Sequence, residues 1–252
     1  MSRKRLKKTS EIYKNGHQNN GVQNNKIFIR PRLEPKNQSQ ADCLELIKNK
    51  DIIFIDGPAG SGKTFLSVVY GLLQVIKGHY EKLILIRPAV TTEEIGLLPG
   101  TIEEKVTPFL EPMLEIIFKY ITKEEFEQLR RDNKIQVKSM AYLRGLTFDN
   151  SFIVVDEAQN LSDKAMKLIV TRIGMNSKLI IQGDIEQSDL KAHEKGSLAR
   201  HVYLFKNFRD EFGSFEFSDK DIVRSPLITM YLDRIKDYNE TYKSDNKQRY
   251  EI

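Results

Sequence analysis

Short apolar runs alternate with longer segments of helical spacing over most of the 252-residue chain. Apolar runs that end at turn-forming or polar residues predict buried strands, and apolar positions three and four apart predict amphipathic helices. The predicted strands are Asp51–Asp56, Leu83–Ile86, Ile135–Met140, Phe152–Val155 and Lys178–Ile181, with a further candidate at Ser214–Ser218. The predicted helices begin near Gln38 and at Lys63, and cover Asp163–Arg172, Ser197–Lys206 and Pro226–Tyr238. This alternation predicts an α/β fold with a mostly parallel sheet and helices on both faces.

The segments that remain set the expected domain boundaries. Residues 1–26 are polar and basic, which predicts a disordered tail, and residues 243–252 are expected to fray. Residues 27–242 are predicted to form a single domain, with a candidate short strand in the stretch 27–35. The segment Glu103–Arg131 has helical spacing whose start is interrupted by Pro108 and Pro112, so we predict a helical insertion at about 100–132.

The residues after the first strand carry the strongest chemical signal in the chain. They match the phosphate-loop pattern G-x-x-x-x-G-K-[ST] in full, as Gly57-Pro58-Ala59-Gly60-Ser61-Gly62-Lys63-Thr64. Glycines let a backbone curl until its N–H groups point at phosphate oxygens, and the helix that follows adds its positive end. Lys63 is predicted to contact the β and γ phosphates, the Thr64 hydroxyl to bind Mg²⁺, and Phe65 to join the nucleotide-binding set. The sequence therefore predicts a three-layer P-loop NTPase that binds ATP.

Polar residues at two further strand ends complete the predicted site. Asp156 and Glu157 end the fourth strand; Asp156 suits the metal, and Glu157 suits the orientation or deprotonation of an attacking water. Gln182 and Gln187 follow the fifth strand and are both candidates for sensing the γ-phosphate. The alternative for Asp156 and Glu157 is a pair of solvated acids at a strand end. The alternative for the glutamines is a turn built on Gly183 and Asp184.

Charge and cysteine content change this picture only modestly. The net charge is +5, but five basic residues lie among the first eight, so the rest of the chain, with 35 basic and 35 acidic residues, is neutral. That basic tail could contact nucleic-acid phosphates, or it could be a solvated arm. No apolar run is long enough to span a bilayer or to serve as a signal peptide, so a cytoplasmic protein without membrane contact is expected. The single Cys43 is predicted to be a buried helix residue.

Taken together, the motifs resemble those of the PhoH-like ATPases, which in turn resemble the first motor domain of superfamily 1 helicases. The resemblance runs from about Gln40 to Tyr238 and rests on GPAGSGKT, IRPAVTTEEIGLLPG, AYLRGLTFDN, DEAQNLS, VTRIG, QGDIEQSDL and DIVRSPLI. It implies a RecA-like fold, nucleotide roles for Gly62, Lys63 and Thr64, and acidic-motif roles for Asp156 and Glu157, with Gln159 close behind. It also implies that Gln40 contacts adenine. Ser225 stands where the family pattern leads us to expect a histidine, which puts that position's role in doubt.

A helicase motor closes two such domains around one ATP, and this chain has a single phosphate loop. If it hydrolyses ATP efficiently, an arginine from a neighbouring subunit is expected to complete the site, since such a residue accelerates phosphoryl transfer by orders of magnitude. Head-to-tail contacts of this kind close into rings when the rotation between subunits allows it, so we predict a homo-oligomeric ring, for which the resemblance suggests a hexamer. The candidate arginines are Arg87, Arg144, Arg172 and Arg224.

The leading hypothesis is an Mg²⁺-dependent ATPase that acts on RNA or single-stranded DNA. The alternatives are a P-loop kinase of a small molecule and a non-enzymatic interaction protein gated by nucleotide. The older family label of phosphate starvation concerns gene control, and none of these residues bears on it.

Overall fold

A computed structural model of the chain describes residues 32–88, 111–140, 143–188 and 196–223, and single positions between 227 and 238. The tail at 1–26, the start of the insertion, Arg224, Ser225 and the last ten residues therefore lie outside the described residues. The domain boundaries stay a prediction.

Within the described residues, every predicted strand and helix is present except the candidate strand at 27–35, of which only residues 32–35 are described. The strands are β1 (Ile52–Asp56), β2 (Lys82–Arg87), β3 (Ile135–Ser139), β4 (Ser151–Val155), β5 (Lys178–Gly183) and β6 (Phe212–Glu216). The helices are α1 (Gln38–Asn49), α2 (Lys63–Ile76), α3 (Glu111–Phe118), α4 (Lys123–Arg131), α5 (Asp163–Val170) and α6 (Ser197–Leu204). The interval between α6 and the preceding strand contains residues outside the described set.

The described strands form one parallel sheet of six, in the order β3-β2-β4-β5-β1-β6. Strand β5 lies between β1 and β4, pairing Asp56 of β1 with Gly183 and Val155 of β4 with Ile181. Because all the strands run the same way, the loop after β1, the acids after β4 and the turn after β5 meet at one edge. This is the predicted α/β, RecA-like P-loop NTPase fold.

Two apolar layers flank the sheet. Alternate strand residues such as Ile53, Leu85 and Val154 face a core shared with α1 to α4, whereas Phe54, Ile86 and Val155 face a second core shared with α5 and α6. Strands covered on both faces read as continuous apolar runs, which explains why the sequence showed runs rather than alternation. Cys43 is fully buried in the first core, as predicted.

The predicted helical insertion differs from the structure in its described part. It consists of two helices, α3 and α4, separated at residues 119–122. Pro112 is the second residue of α3, where a missing N–H removes no helical bond, so it does not interrupt the helix. Thr122 caps α4: its hydroxyl accepts from the Glu125 N–H while the Glu125 carboxylate accepts from the Thr122 N–H.

Smaller differences lie at element ends. Strand β6 begins at Phe212, two residues before the predicted start, while α5 and α6 end two residues early, at Val170 and Leu204. Residues 32–35 form no strand. The described positions between 227 and 238 are helical, as predicted, and they are exposed. No helix in the described part of the chain is long and apolar enough to cross a membrane.

Candidate active site

The phosphate loop connects the end of β1 to the start of α2, and its shape depends on glycine at two places. Gly57 has φ 148°, and a Cβ there would lie 2.5 Å from the Cβ of Phe217. Gly62 has φ 99° and precedes α2, and a Cβ there would lie 2.5 Å from the Nε2 of Gln40. A side chain at either position would meet both backbone strain and a collision.

The Lys63 side chain lies inside the curl of this loop. Its ammonium donates to the carbonyl of Gly57 and, at 2.9 Å, to the carbonyl of Pro58. Burial lowers the pKa of Lys63, while the nearby carboxylates of Asp184 and Asp156 act in the opposite direction. The charge is thus held at the loop by neutral carbonyl partners, which an anion could replace.

The Thr64 hydroxyl meets Asp156 although the two residues are 92 positions apart. Thr64 Oγ1 donates to Asp156 Oδ1 at 3.1 Å. Gln182 lies behind them: its Nε2 donates to Thr64 Oγ1 at 3.1 Å and to Asp156 Oδ1 at 2.9 Å, and its Oε1 accepts from Ser67 Oγ at 2.8 Å. Burial raises the pKa of Asp156, and the bond from Gln182 opposes that shift. The Gln182 amide thus holds both predicted metal ligands, Thr64 and Asp156, in place.

Glu157 has a left-handed backbone, with φ 57° and ψ 35°, which is uncommon for a residue other than glycine. Its carboxylate accepts from Arg87 Nη2 at 3.2 Å and from Gln159 Nε2 at 2.7 Å. Gln159 is buried, and its Oε1 accepts from the Asp184 N–H at 3.1 Å. The acidic motif is therefore bonded to the ends of two neighbouring strands.

The two candidate sensor glutamines differ in environment. Gln182 is fully buried, with its amide bonded to Thr64, Asp156 and Ser67. Gln187 is exposed at the end of a short 3-10 turn, Ile185–Gln187, where its N–H donates to the Asp184 carbonyl at 3.0 Å. Of the two, Gln187 is placed to meet a ligand.

A cavity of about 280 Å³ opens over the loop. Its walls come from the loop, the acidic motif, the turn after β5 and α3: Ala59, Gly60, Gly62, Lys63, Thr64, Phe65, Ile116, Asp156, Glu157, Gly183, Asp184 and Gln187. Lys63, Thr64, Phe65, Asp156, Glu157 and Gln187 are thus brought together, as the sequence predicted. Ile116 was missed, and nothing in the apolar pattern of its helix distinguishes it from a core residue.

Gln40 lies under the loop. Its side chain is buried, with Nε2 donating to the Ser61 carbonyl at 2.9 Å and Oε1 accepting from the Lys36 N–H at 2.9 Å. This arrangement supports the loop, and Gln40 is not among the residues that line the described cavity.

The segment after β6 also supports the loop. The Val223 N–H donates to the Gly60 carbonyl at 3.0 Å, and Phe217 packs against Gly57. This support by residues 217–223 was not predicted from the sequence, although Phe217 lies in the candidate strand Ser214–Ser218 and Val223 lies in the DIVRSPLI motif.

The candidate arginines that the structure describes have different settings. Arg87 bonds to Glu157 in its own chain. Arg172 is half-buried before the amino end of β5 and donates to the Leu146 carbonyl at 3.0 Å. Arg144 is exposed in the loop between β3 and β4.

The sheet order and the loop define a protein of the P-loop NTPase fold class. A sequence profile of the family described as PhoH-like protein matches residues 32–236, so the chain belongs to the PhoH-like family. Curated relatives include the PhoH-like protein of Synechocystis sp., 38% identical over 197 residues, and that of Bacillus subtilis, 37% identical over 202 residues. These alignments cover 78% and 80% of this chain but 60% and 63% of the relatives' lengths.

Solved structures resemble the chain only distantly. The Hef helicase domain of Pyrococcus furiosus is 12% identical with a TM-score of 0.44, covering 73% of this chain and 38% of that one. The SWI2/SNF2 ATPase core of Sulfolobus solfataricus, solved with double-stranded DNA, is 16% identical with a TM-score of 0.43, covering 78% of this chain and 47% of that one.

Proposed function

We propose that the chain binds ATP with Mg²⁺ at the phosphate loop and hydrolyses it to ADP and phosphate. The observation that carries this proposal is the 3.1 Å contact between the Thr64 hydroxyl and the Asp156 carboxylate at the wall of the cavity. A hydroxyl from the loop and a carboxylate from the neighbouring motif are the pair that P-loop NTPases use to hold Mg²⁺.

The residues present fit a magnesium ion. Both ligands are oxygens, which Mg²⁺ prefers, and Gln182 holds them together. Among the described residues no group of three or more metal-binding side chains forms a cage, and Mg²⁺ characteristically takes one or two protein oxygens alongside water and phosphate. Bound Mg²⁺ would neutralise negative charge on the phosphate oxygens.

The loop residues fit a triphosphate. Ser61 Oγ is buried and has no hydrogen-bond partner within the described residues, and the Lys63 ammonium is bonded to neutral loop carbonyls. Lys63 exchanges those carbonyls for the β and γ phosphates, and the curled backbone donates its N–H groups to them. Phe65 and Ile116 supply the apolar part of the wall.

Glu157 is the residue that orients or deprotonates the attacking water, and Gln187 senses the γ-phosphate. Both side chains line the cavity with Lys63 and Thr64. The carboxylate of Glu157 is held by Arg87 and Gln159, so its direction is set before any ligand binds.

Assembly into a ring, with an arginine supplied by the neighbouring subunit, is part of the same proposal. Arg144 suits that role best among the described candidates because it is exposed on a loop. Coupling to RNA or single-stranded DNA is supported by the basic residues at 3–8 and by the likeness of the motifs to helicase motifs. A cytoplasmic location stays a prediction.

Release of phosphate from ATP tests the proposal directly. We expect Mg²⁺-dependent release by the wild type, loss of nucleotide affinity in Lys63→Ala, and binding with at most about 1% of turnover in Glu157→Gln. The exposed residues Lys164 and Glu115 provide matched controls, Lys164→Ala and Glu115→Gln, which should leave both quantities unchanged. Unchanged nucleotide affinity in Lys63→Ala would refute the assignment of the loop.

Two further measurements address the coupled activity. Adding RNA or single-stranded DNA at two salt concentrations should raise the rate, and the increase should fade as salt rises. ADP formation that requires a small-molecule acceptor and releases no free phosphate would instead support a kinase. Light scattering should report an oligomer; a monomer with full activity would remove the ring from the proposal.

A further inference from the structure

Arg87 is the last residue of β2, beside the acidic motif that follows β4. The Asp156 N–H donates to the Ile86 carbonyl at 3.0 Å, so the chain positions of Arg87 and Glu157 are adjacent across the sheet edge. Arg87 Nη2 reaches Glu157 Oε1 at 3.2 Å, with the two side chains 21% and 35% exposed. The pair is therefore partly shielded from water, and a shielded ion pair keeps its geometry better than one on an open surface.

Three constraints converge on the Glu157 carboxylate. The backbone is left-handed, Arg87 holds one oxygen, and Gln159 Nε2 holds the other at 2.7 Å. Gln159 is itself fixed, because it is buried and its Oε1 accepts from the Asp184 N–H. A carboxylate held at both oxygens has a defined direction.

Arg87 and Glu157 differ in whether they contact the cavity. Among the described residues Glu157 lines the cavity, whereas Arg87 does not. The guanidinium thus stands behind the carboxylate and acts on the cavity through it.

We propose that Arg87 is a positioning residue in its own chain, which aims the Glu157 carboxylate together with Gln159, and that it is not the arginine delivered to a neighbour's ATP. This inference rests on the proposed role of Glu157 in ATP hydrolysis. Only Arg offers a planar, forked donor at this place, so Lys can replace its charge but not its geometry.

Steady-state kinetics of Arg87→Ala and Arg87→Lys provide the first test. We expect Arg87→Ala to lower kcat by about 100-fold while KM for ATP changes by less than about 2-fold, since a misdirected carboxylate affects turnover and not binding. Arg87→Lys should recover part of the loss. The exposed Arg131 gives the control, as Arg131→Ala should match the wild type. A KM effect as large as the kcat effect would overturn the inference.

A double-mutant cycle with Glu157→Gln asks whether Arg87 acts through Glu157. Adding Arg87→Ala to Glu157→Gln should cost less than about 2-fold further in single-turnover hydrolysis, because the carboxylate being positioned is already gone. A full, additive second loss would show that Arg87 acts independently of Glu157. ATP affinity and melting temperature, measured on each variant, separate misfolding from a loss of turnover.

Mixing the two single variants distinguishes the subunit in which Arg87 acts. If Arg87 served a neighbour, Arg87→Ala subunits with intact Glu157 would regain activity beside Glu157→Gln subunits with intact Arg87. We expect no regain, and regain would overturn the inference. This inference alone would be refuted if Glu157→Gln abolished ATP hydrolysis but Arg87→Ala left it intact. If the wild type did not hydrolyse ATP, the proposed function itself would be refuted.

Discussion

Replacing Gln182 by leucine is the sharpest test of how the metal ligands are held. Leucine keeps approximately the volume of the side chain but removes the donors to Thr64 and Asp156 and the acceptor of Ser67. Ser67 loses little, because its hydroxyl also contacts the carbonyls of Lys63 and Thr64 at 3.0 Å and 3.3 Å. The main loss therefore falls on the buried Asp156 carboxylate.

The size of that loss follows from the contacts. A hydrogen bond to a charged acceptor contributes about 1.5–3 kcal/mol, and the neutral bond to Thr64 about 1 kcal/mol. Leucine burial offsets about 1–2 kcal/mol of this. We expect the free energy of unfolding to fall by about 2 kcal/mol, which lowers the urea midpoint by about 0.7 M if the denaturant slope is about 3 kcal/mol per M. The Mg²⁺ concentration needed for nucleotide binding should rise by about 10- to 100-fold.

Gln187→Leu is the matched control, since this glutamine is exposed and bonds through its backbone. Urea unfolding of the two variants should show a lower midpoint only for Gln182→Leu, whereas ATP turnover should fall in Gln187→Leu with stability unchanged. Equal stability of Gln182→Leu and the wild type would refute the role of Gln182 in holding the ligands. That role would also be refuted if Gln187→Leu lowered the urea midpoint by the same amount as Gln182→Leu.

Three further predictions concern residues away from the Gln182 network. Burial lowers the pKa of Lys178 to about 8, so below that pH the folded state carries the charged ammonium at a cost in stability. The free energy of unfolding should therefore rise from about pH 8 to about pH 10.5, and urea titrations of Lys178→Met should lack this rise. Gly62→Ala should abolish nucleotide binding and lower the melting temperature more than Gly78→Ala, which has positive φ but open space around it. Burial raises the pKa of Cys43 to about 12, so a thiol reagent should label it only after unfolding, and rapid labelling of the folded chain would contradict its placement.

Much of the fold could be predicted because the strands are covered on both faces. Burial on both faces requires runs such as IIFI and FIVV, which differ sharply from the spaced apolar positions of α2 and α6. The meeting of Thr64 with Asp156 could also be predicted, because parallel strands bring their carboxyl ends to one edge.

Other features depend on contacts that no local pattern contains. Gln182 near the end of β5 and Gln187 beyond it look equivalent in sequence. Only the position of β5 between β1 and β4 buries Gln182 and leaves Gln187 exposed. The direction of Gln40 likewise depends on how α1 packs under the loop. The start of α4, by contrast, has a local signal that the prediction of a helical insertion did not use, since Thr122 and Glu125 have the spacing of a capping box.

The bond between Val223 and Gly60, with Phe217 against Gly57, has a consequence for how the protein is made. During synthesis, the phosphate loop leaves the ribosome long before residues 217–223 do. During that interval the motif lacks the strand and the turn that brace it. We therefore expect nucleotide binding to appear only after β6 and residues 217–223 have left the ribosome and packed against the phosphate loop.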